Sequence, residues 1–141
     1  MLTNLTIKDG ASETKLDFSS PNKSEMALLR YETGASNVTL TGLGNANFSM
    51  LEFSSGAGNY TLDFSGELKR NGSVHIGTGV SNLTLVIPAN VAAQVTVEGG
   101  ASNVTPGVGW VKNGNVYTQS GSGPTLTIVV KIGVGNLTIT R

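Results

Sequence analysis

Apolar and polar residues alternate along most of this chain. Leu29, Tyr31 and Thr33 take every second position, as do Leu51, Phe53 and Ser55, and Val74, Ile76 and Thr78. Val95 and Val97, and then Ile128, Val130 and Ile132, repeat the pattern. Successive side chains of a strand point to opposite faces, so period-two spacing of β-branched and aromatic residues predicts half-buried strands. Each run ends at a glycine: Gly34, Gly56, Gly79, Gly99-Gly100 and Gly133. A second short run follows, with Val38 and Leu40, Leu62 and Phe64, or Leu83 and Leu85 predicted to point inward.

Between the two runs stands one recurring phrase. Gly79-Val80-Ser81-Asn82-Leu83-Thr84-Leu85 is matched by Gly34-Ala35-Ser36-Asn37-Val38-Thr39-Leu40 and by Gly56-Ala57-Gly58-Asn59-Tyr60-Thr61-Leu62. Gly133-Val134-Gly135-Asn136-Leu137-Thr138-Ile139 is a further copy. Gly100-Ala101-Ser102-Asn103-Val104-Thr105-Pro106 departs only at its end, and Gly10-Ala11-Ser12-Glu13-Thr14-Lys15-Leu16 is a worn copy. The opening glycines are 24, 22, 23, 21 and 33 residues apart. Self-similarity at such a period marks a stack of small units. Gly and Asn tolerate positive φ, so the phrase is expected to turn a corner. A unit of about 22 residues with two short strands is too short for a helical crossover. The pattern therefore predicts an all-β, single-domain, parallel β-solenoid of about six coils over residues 1–141. The long last step, which contains Trp110, Asn113-Gly114 and Val116-Tyr117-Thr118, predicts an extra strand pair or a longer loop.

Stacked copies bring like residues above one another, about 4.8 Å apart. Asn37, Asn59, Asn82 and Asn103, and Asn136 with them, are expected to form an asparagine ladder through their side-chain amides. Thr39, Thr61, Thr84 and Thr138 are expected to form an outward row.

Composition narrows the function classes. Nine acidic and nine basic residues give a net charge of zero, which provides no basic patch for a nucleic-acid partner. The absence of cysteine excludes disulfides and thiolate metal sites. No run approaches the roughly 18 apolar residues that would span a bilayer, so membrane insertion by this segment is not expected. Met1 is followed directly by the strand-like Leu2–Ile7, with no basic and apolar leader pattern. Asn4-Leu5-Thr6-Ile7 echoes the repeat, and the expectation is a domain starting in mid-repeat, the soluble part of a longer envelope protein.

Each chemical candidate has a plainer structural reading. Asp17 and Asp63 hold equivalent positions, but other copies carry Thr41 and Val86 there, so a solvated outward position is expected rather than a cation site. His75 is the one histidine and, between Val74 and Ile76, points outward; alone it makes no metal site. Gly121-Ser122-Gly123 belongs to a polar loop and is no nucleophile elbow. The glycine phrases are followed by strands, whereas phosphate-cradling loops need a helix. The triplets at Asn4, Asn37, Asn59, Asn82 and Asn136 read as sequons, yet the repeat accounts for them all without sugar, and an asparagine that faces into the corner is unavailable. The outward threonines resemble those of ice-binding solenoids, but Thr41, Asp63, Val86 and Thr140 do not supply a second column. Trp110, with Tyr117 nearby, is either an exposed anchor for a partner or a cap over the end of the stack, and a solenoid needs such a cap. The basic residues are scattered, which argues against the charged groove of a polysaccharide-cleaving β-helix. No catalytic constellation and no cofactor site is found.

The phrases Gly-x-Gly/Ser-Asn-Leu-Thr-Leu, together with Val86-Ile87-Pro88-Ala89-Asn90-Val91 and Val95-Thr96-Val97-Glu98-Gly99-Gly100, resemble the bacterial toast-rack family. That group includes LiaF-like cell-wall-stress proteins and adhesin-like domains. The closing run Val129–Ile139 is similar to the way these domains end. The resemblance implies a β-helix-like fold without catalytic residues and a place at the cell envelope, anchored through segments outside this chain. It further implies a protein partner among membrane or envelope components, as LiaF-like relatives have in membrane histidine-kinase systems. The function expected is a non-enzymatic interaction or regulatory domain linked to envelope-stress signalling. The alternative is an adhesin or carbohydrate-binding surface domain. Self-association through unpaired strand edges of the end coils is also expected.

Overall fold

The computed structural model describes residues 4–11, 13–18, 26–66, 70–89, 91–98, 101–107 and 109–140. Gly99 and Gly100, and the expected loops at Pro21–Lys23 and Glu67–Lys69, lie outside the described residues. In chain order the strands are β1 (Asn4–Asp9), β2 (Glu13–Asp17), β3 (Leu28–Thr41), β4 (Met50–Asp63) and β5 (Gly72–Val86). They continue with β6 (Ala92–Glu98), β7 (Ala101–Thr105), β8 (Val111–Asn113), β9 (Val116–Gln119) and β10 (Thr125–Thr140). A 3-10 turn, Leu43–Ala46, follows β3.

All of these strands belong to one mostly parallel, unclosed sheet. Its order is β1-β3-β4-β5-β10-β6-β9-β8, with β2 also on β3 and β7 also on β10. β9 runs antiparallel to both its neighbours, pairing β6 on one side and β8 on the other. The register stacks like on like: Leu29 lies beside Leu51, Leu51 beside Val74, and Val74 beside Ile128.

Three expectations are corrected here. The two short strands of a unit are one bent strand in β3, β4, β5 and β10, whereas Gly10 and Ala11 part β1 from β2. The units also do not stack in chain order, because β10 lies between β5 and the β6/β7 unit. Chemistry explains that placement. β10 runs uninterrupted for 16 residues and can pair along both sides. β7 ends where Pro106 begins. Proline has no N–H to give a ladder, so its strand belongs at an edge. Lastly, Asn4–Asp9 pairs with the first half of β3, Asn4 opposite Leu28. It therefore opens a unit, and Asn4 stands outside the asparagine column.

The bend follows from the side-chain pattern. In β3 the residues 29, 31 and 33, then 36, 38 and 40, are buried, while Gly34 and Ala35 are exposed together. Two consecutive outward residues turn the strand, and the inward rows of both halves then face a common core. Within the bend Thr33 and Ser36 join hydroxyls at 2.6 Å, as do Thr78 and Ser81. Positive φ is not what the corner glycine provides: Gly34, Gly56, Gly79 and Gly133 do not have it. A Cβ at any of the four would lie 2.7–2.8 Å from the carbonyl oxygen of the glycine in the neighbouring unit. Glycine is present because two backbones approach there. Gly58 and Gly135, two residues on, do have positive φ, and a Cβ there would strike the Ser36 or Ser81 carbonyl.

The core is stacked in the same way. Tyr31 and Phe53 stack with centroids 5.5 Å apart, and Tyr60 meets Phe53 edge-on at 5.1 Å. Leu43, Ala46, Phe48, Phe64 and Ile87, from segments between the strands, close the core opposite the bend. Each large apolar side chain buried this way contributes roughly 1.5–3 kcal/mol.

Candidate functional site

The bend divides the outer surface into two flanks of different chemistry. The first halves of the strands carry charge. Lys8 pairs with Glu32 at 3.3 Å, Arg30 with Glu52 at 2.7 Å, and Lys131 with Glu98 at 3.6 Å, each between adjacent strands. These pairs are exposed enough to be worth about 0–1 kcal/mol apiece. His75 is exposed on this flank, and Gly77, whose Cβ position is open, leaves a shallow hollow of about 240 Å³ among Glu52, Ser54, His75, Val129 and Lys131.

The second halves are almost free of charge. Their outward positions form columns parallel to the stack. Nearest the bend are Ala35, Ala57, Val80 and Val134, all exposed, with Val80 at 60% and Val134 at 53%. Next come Asn37, Asn59, Asn82, Asn136 and Asn103 in register. Two residues further lie Thr39, Thr61, Thr84, Thr138 and Thr105. Glu13, Lys15 and Asp17 occur only on β2, at the edge, and Asp63 accepts a hydrogen bond from the Ser65 amide at 2.9 Å.

The asparagines bond to one another in a single direction. Asn59 Nδ2 donates to Asn37 Oδ1 at 3.3 Å, and Asn82 Nδ2 to Asn59 Oδ1 at 3.0 Å. Asn136 Nδ2 donates to Asn82 Oδ1 at 2.9 Å, and Asn103 Nδ2 to Asn136 Oδ1 at 3.3 Å. Asn136 therefore stands between Asn82 and Asn103, where sequential stacking had put those two in contact. The column is also on the outer surface: all five side chains are exposed and do not face into the corner.

The remaining candidates are spread apart. Asp17 and Asp63 share a column but are separated by Thr41, whose hydroxyl donates to Asp17 at 2.9 Å. Among the described residues no group of three or more His, Asp or Glu side chains is placed to hold a metal ion. Trp110 and Tyr117 lie at the β8–β9 end of the sheet. Trp110 is half-buried against the core, while Tyr117 is buried with the Lys112 ammonium 5.9 Å from its ring centroid. Gln119 fastens this hairpin, its Nε2 donating to the carbonyls of Pro88 and Val91 at 2.8 Å each. The residues of the apolar column beside the asparagines stand in the expected corner, where no function was assigned to them. The column's signal was the small apolar residue after each corner glycine.

Two comparisons with known proteins bear on this arrangement. Residues 22–86 match the family described as the N-terminal domain of toast-rack. The fold is similar to the crystal structure of a putative cell adhesion protein from Clostridium sporogenes, with a TM-score of 0.85 and 19% sequence identity over 99% of this chain and 92% of that one. No curated protein matches the chain. The likeness to the toast-rack N-terminal domain is thus carried by residues 22–86, and the likeness of fold extends over nearly the whole chain.

Proposed function

We propose that this domain is a non-enzymatic interaction module of the cell envelope, built to present a rigid, patterned flank to a partner. The observation that carries the reading is the uncharged flank itself. Five parallel strands hold an exposed asparagine column and a largely half-buried threonine column in fixed register. Buried inward rows lock each strand, so a partner meets a surface whose ordering entropy was lost on folding. The family match and the similarity to a protein described as a cell adhesion protein support an envelope setting. Among the described residues no helix is long and apolar enough to cross a membrane.

The test is capture by the immobilised domain from detergent-solubilised membranes, with cell-wall fragments offered in parallel. Stoichiometric retention of a membrane protein identifies an envelope-signalling partner of the LiaF-like kind. Retention of wall glycan identifies an adhesin. Retention of neither, by a domain that melts cooperatively, refutes the interaction reading.

A further inference from the structure

The asparagine ladder leaves a repeating set of unused hydrogen-bond valences. A side-chain amide has two N–H donors and an oxygen with two lone pairs. For Asn59, Asn82 and Asn136 the ladder takes one donor and one acceptor from each. Every one of these amides thus offers one further N–H and one further lone pair, held in one orientation by the bonds above and below. A Thr hydroxyl stands two residues along each strand, about 6.7 Å away, and the pattern repeats about every 4.8 Å up the stack. On the other side of the amides, the exposed Ala35, Ala57, Val80 and Val134 form an apolar border.

We propose that this flank binds a neutral glycan chain lying parallel to the stack. The inference rests on the interaction reading above and names the ligand class for it. A sugar hydroxyl both donates and accepts, which matches the paired valence left on each amide, and the C–H face of a pyranose suits the Ala/Val border. The strand spacing of about 4.8 Å is close to the length that one unit adds to a β-1,4-linked chain. Alternate units of such a chain are inverted, so matched contacts recur at every second strand. Charge selects the class. The flank has no cation among the columns of β3, β4, β5, β10 and β7 to hold an acidic polymer, whereas the opposite flank carries the ion pairs.

The experiment is sedimentation of the purified chain with insoluble chitin and cellulose, and calorimetric titration with chito- and cello-oligosaccharides of increasing length. Polygalacturonate serves as the acidic comparison. The double substitution Thr84→Val and Thr138→Val removes two hydroxyls while keeping β-branched shape. Val80→Asp places a charge on the border, and His75→Ala on the opposite flank is the control. The expected result is binding to at least one neutral glycan, tightening with length up to about five units, one per strand of the ladder. The threonine pair should weaken it about tenfold, as two lost neutral hydrogen bonds would. Val80→Asp should weaken it too, and His75→Ala should leave it unchanged. Absence of binding to either neutral glycan, preference for polygalacturonate, or binding that survives both flank variants would overturn the proposal. If a membrane protein is captured by the domain while the glycans fail, the interaction reading stands and the glycan assignment falls.

Discussion

Gly79 and Gly77 lie two residues apart in the same strand and should respond oppositely to one added methyl group. Neither has positive φ, so alanine fits both backbones. At Gly79 the new Cβ would sit 2.8 Å from the carbonyl oxygen of Gly56. That oxygen is main chain, held in a sheet paired on both sides, so relief requires the strands to separate locally. Overpacking of this kind costs about 1–3 kcal/mol. At Gly77 the Cβ would meet nothing within 4 Å, since it enters the shallow hollow on the charged flank. There alanine restricts the unfolded chain and should add about 0.4–1 kcal/mol. For a chain of this size each kcal/mol moves the melting midpoint by roughly 3–4 °C. Thermal and urea unfolding followed by circular dichroism should show Gly79→Ala lowered by about 4–10 °C and Gly77→Ala unchanged or raised by up to about 4 °C. Equal shifts, or a larger loss at Gly77, would refute the claim that close backbone approach, and not chain flexibility, requires the corner glycine.

Four further outcomes are expected. Leu83→Asp should abolish cooperative unfolding, because a carboxylate would replace a side chain that is 1% exposed, at a cost above about 4 kcal/mol; Thr84→Ser, on the outer face, should stay within about 0.5 kcal/mol in a urea titration. Tyr60→Phe should stabilise the domain by about 1 kcal/mol, since the Tyr60 hydroxyl is buried without a hydrogen-bond partner among the described residues; a urea midpoint that falls would show a hidden partner. Deleting Thr125–Thr140 should leave no cooperative transition by circular dichroism, because it strips β5 of one neighbour and leaves the β6/β7 unit without the parallel strand that joins it to the stack.

Much of the fold was legible because burial imposes a period. Inward Leu, Val, Ile, Tyr and Phe at every second position define the strands, and the returning glycine phrase defines the units. The order of stacking was harder to read, since the phrases of β5, β7 and β10 are near-equivalent partners for one another. The deciding residue was Pro106, which removes an N–H and sends its strand to the edge. The corner glycine was misread because Gly suggests turn dihedrals, whereas here it answers a contact with another unit; the asparagine bond to another unit was legible only from the copies taken together. Both causes are non-local, so no single copy of the phrase contains them.

The same consideration explains why one flank is repetitive and the other is not. Stacking places side chains of neighbouring units about 4.8 Å apart, so a column of identical residues persists only where the residue is compatible with itself. An amide is, because it carries both donor and acceptor; so are a Thr hydroxyl, a glycine Cα and an apolar core side chain. A charged residue is not, since like charges directly opposite are destabilising. Charged columns must alternate sign, and Lys8–Glu32, Arg30–Glu52 and Lys131–Glu98 do so. Their sequence therefore cannot repeat from unit to unit. The phrase that stands out in the chain is the self-compatible flank alone. The ion pairs lie on the other flank, which leaves the repetitive one nearly uncharged from β3 onward and open to a repetitive ligand.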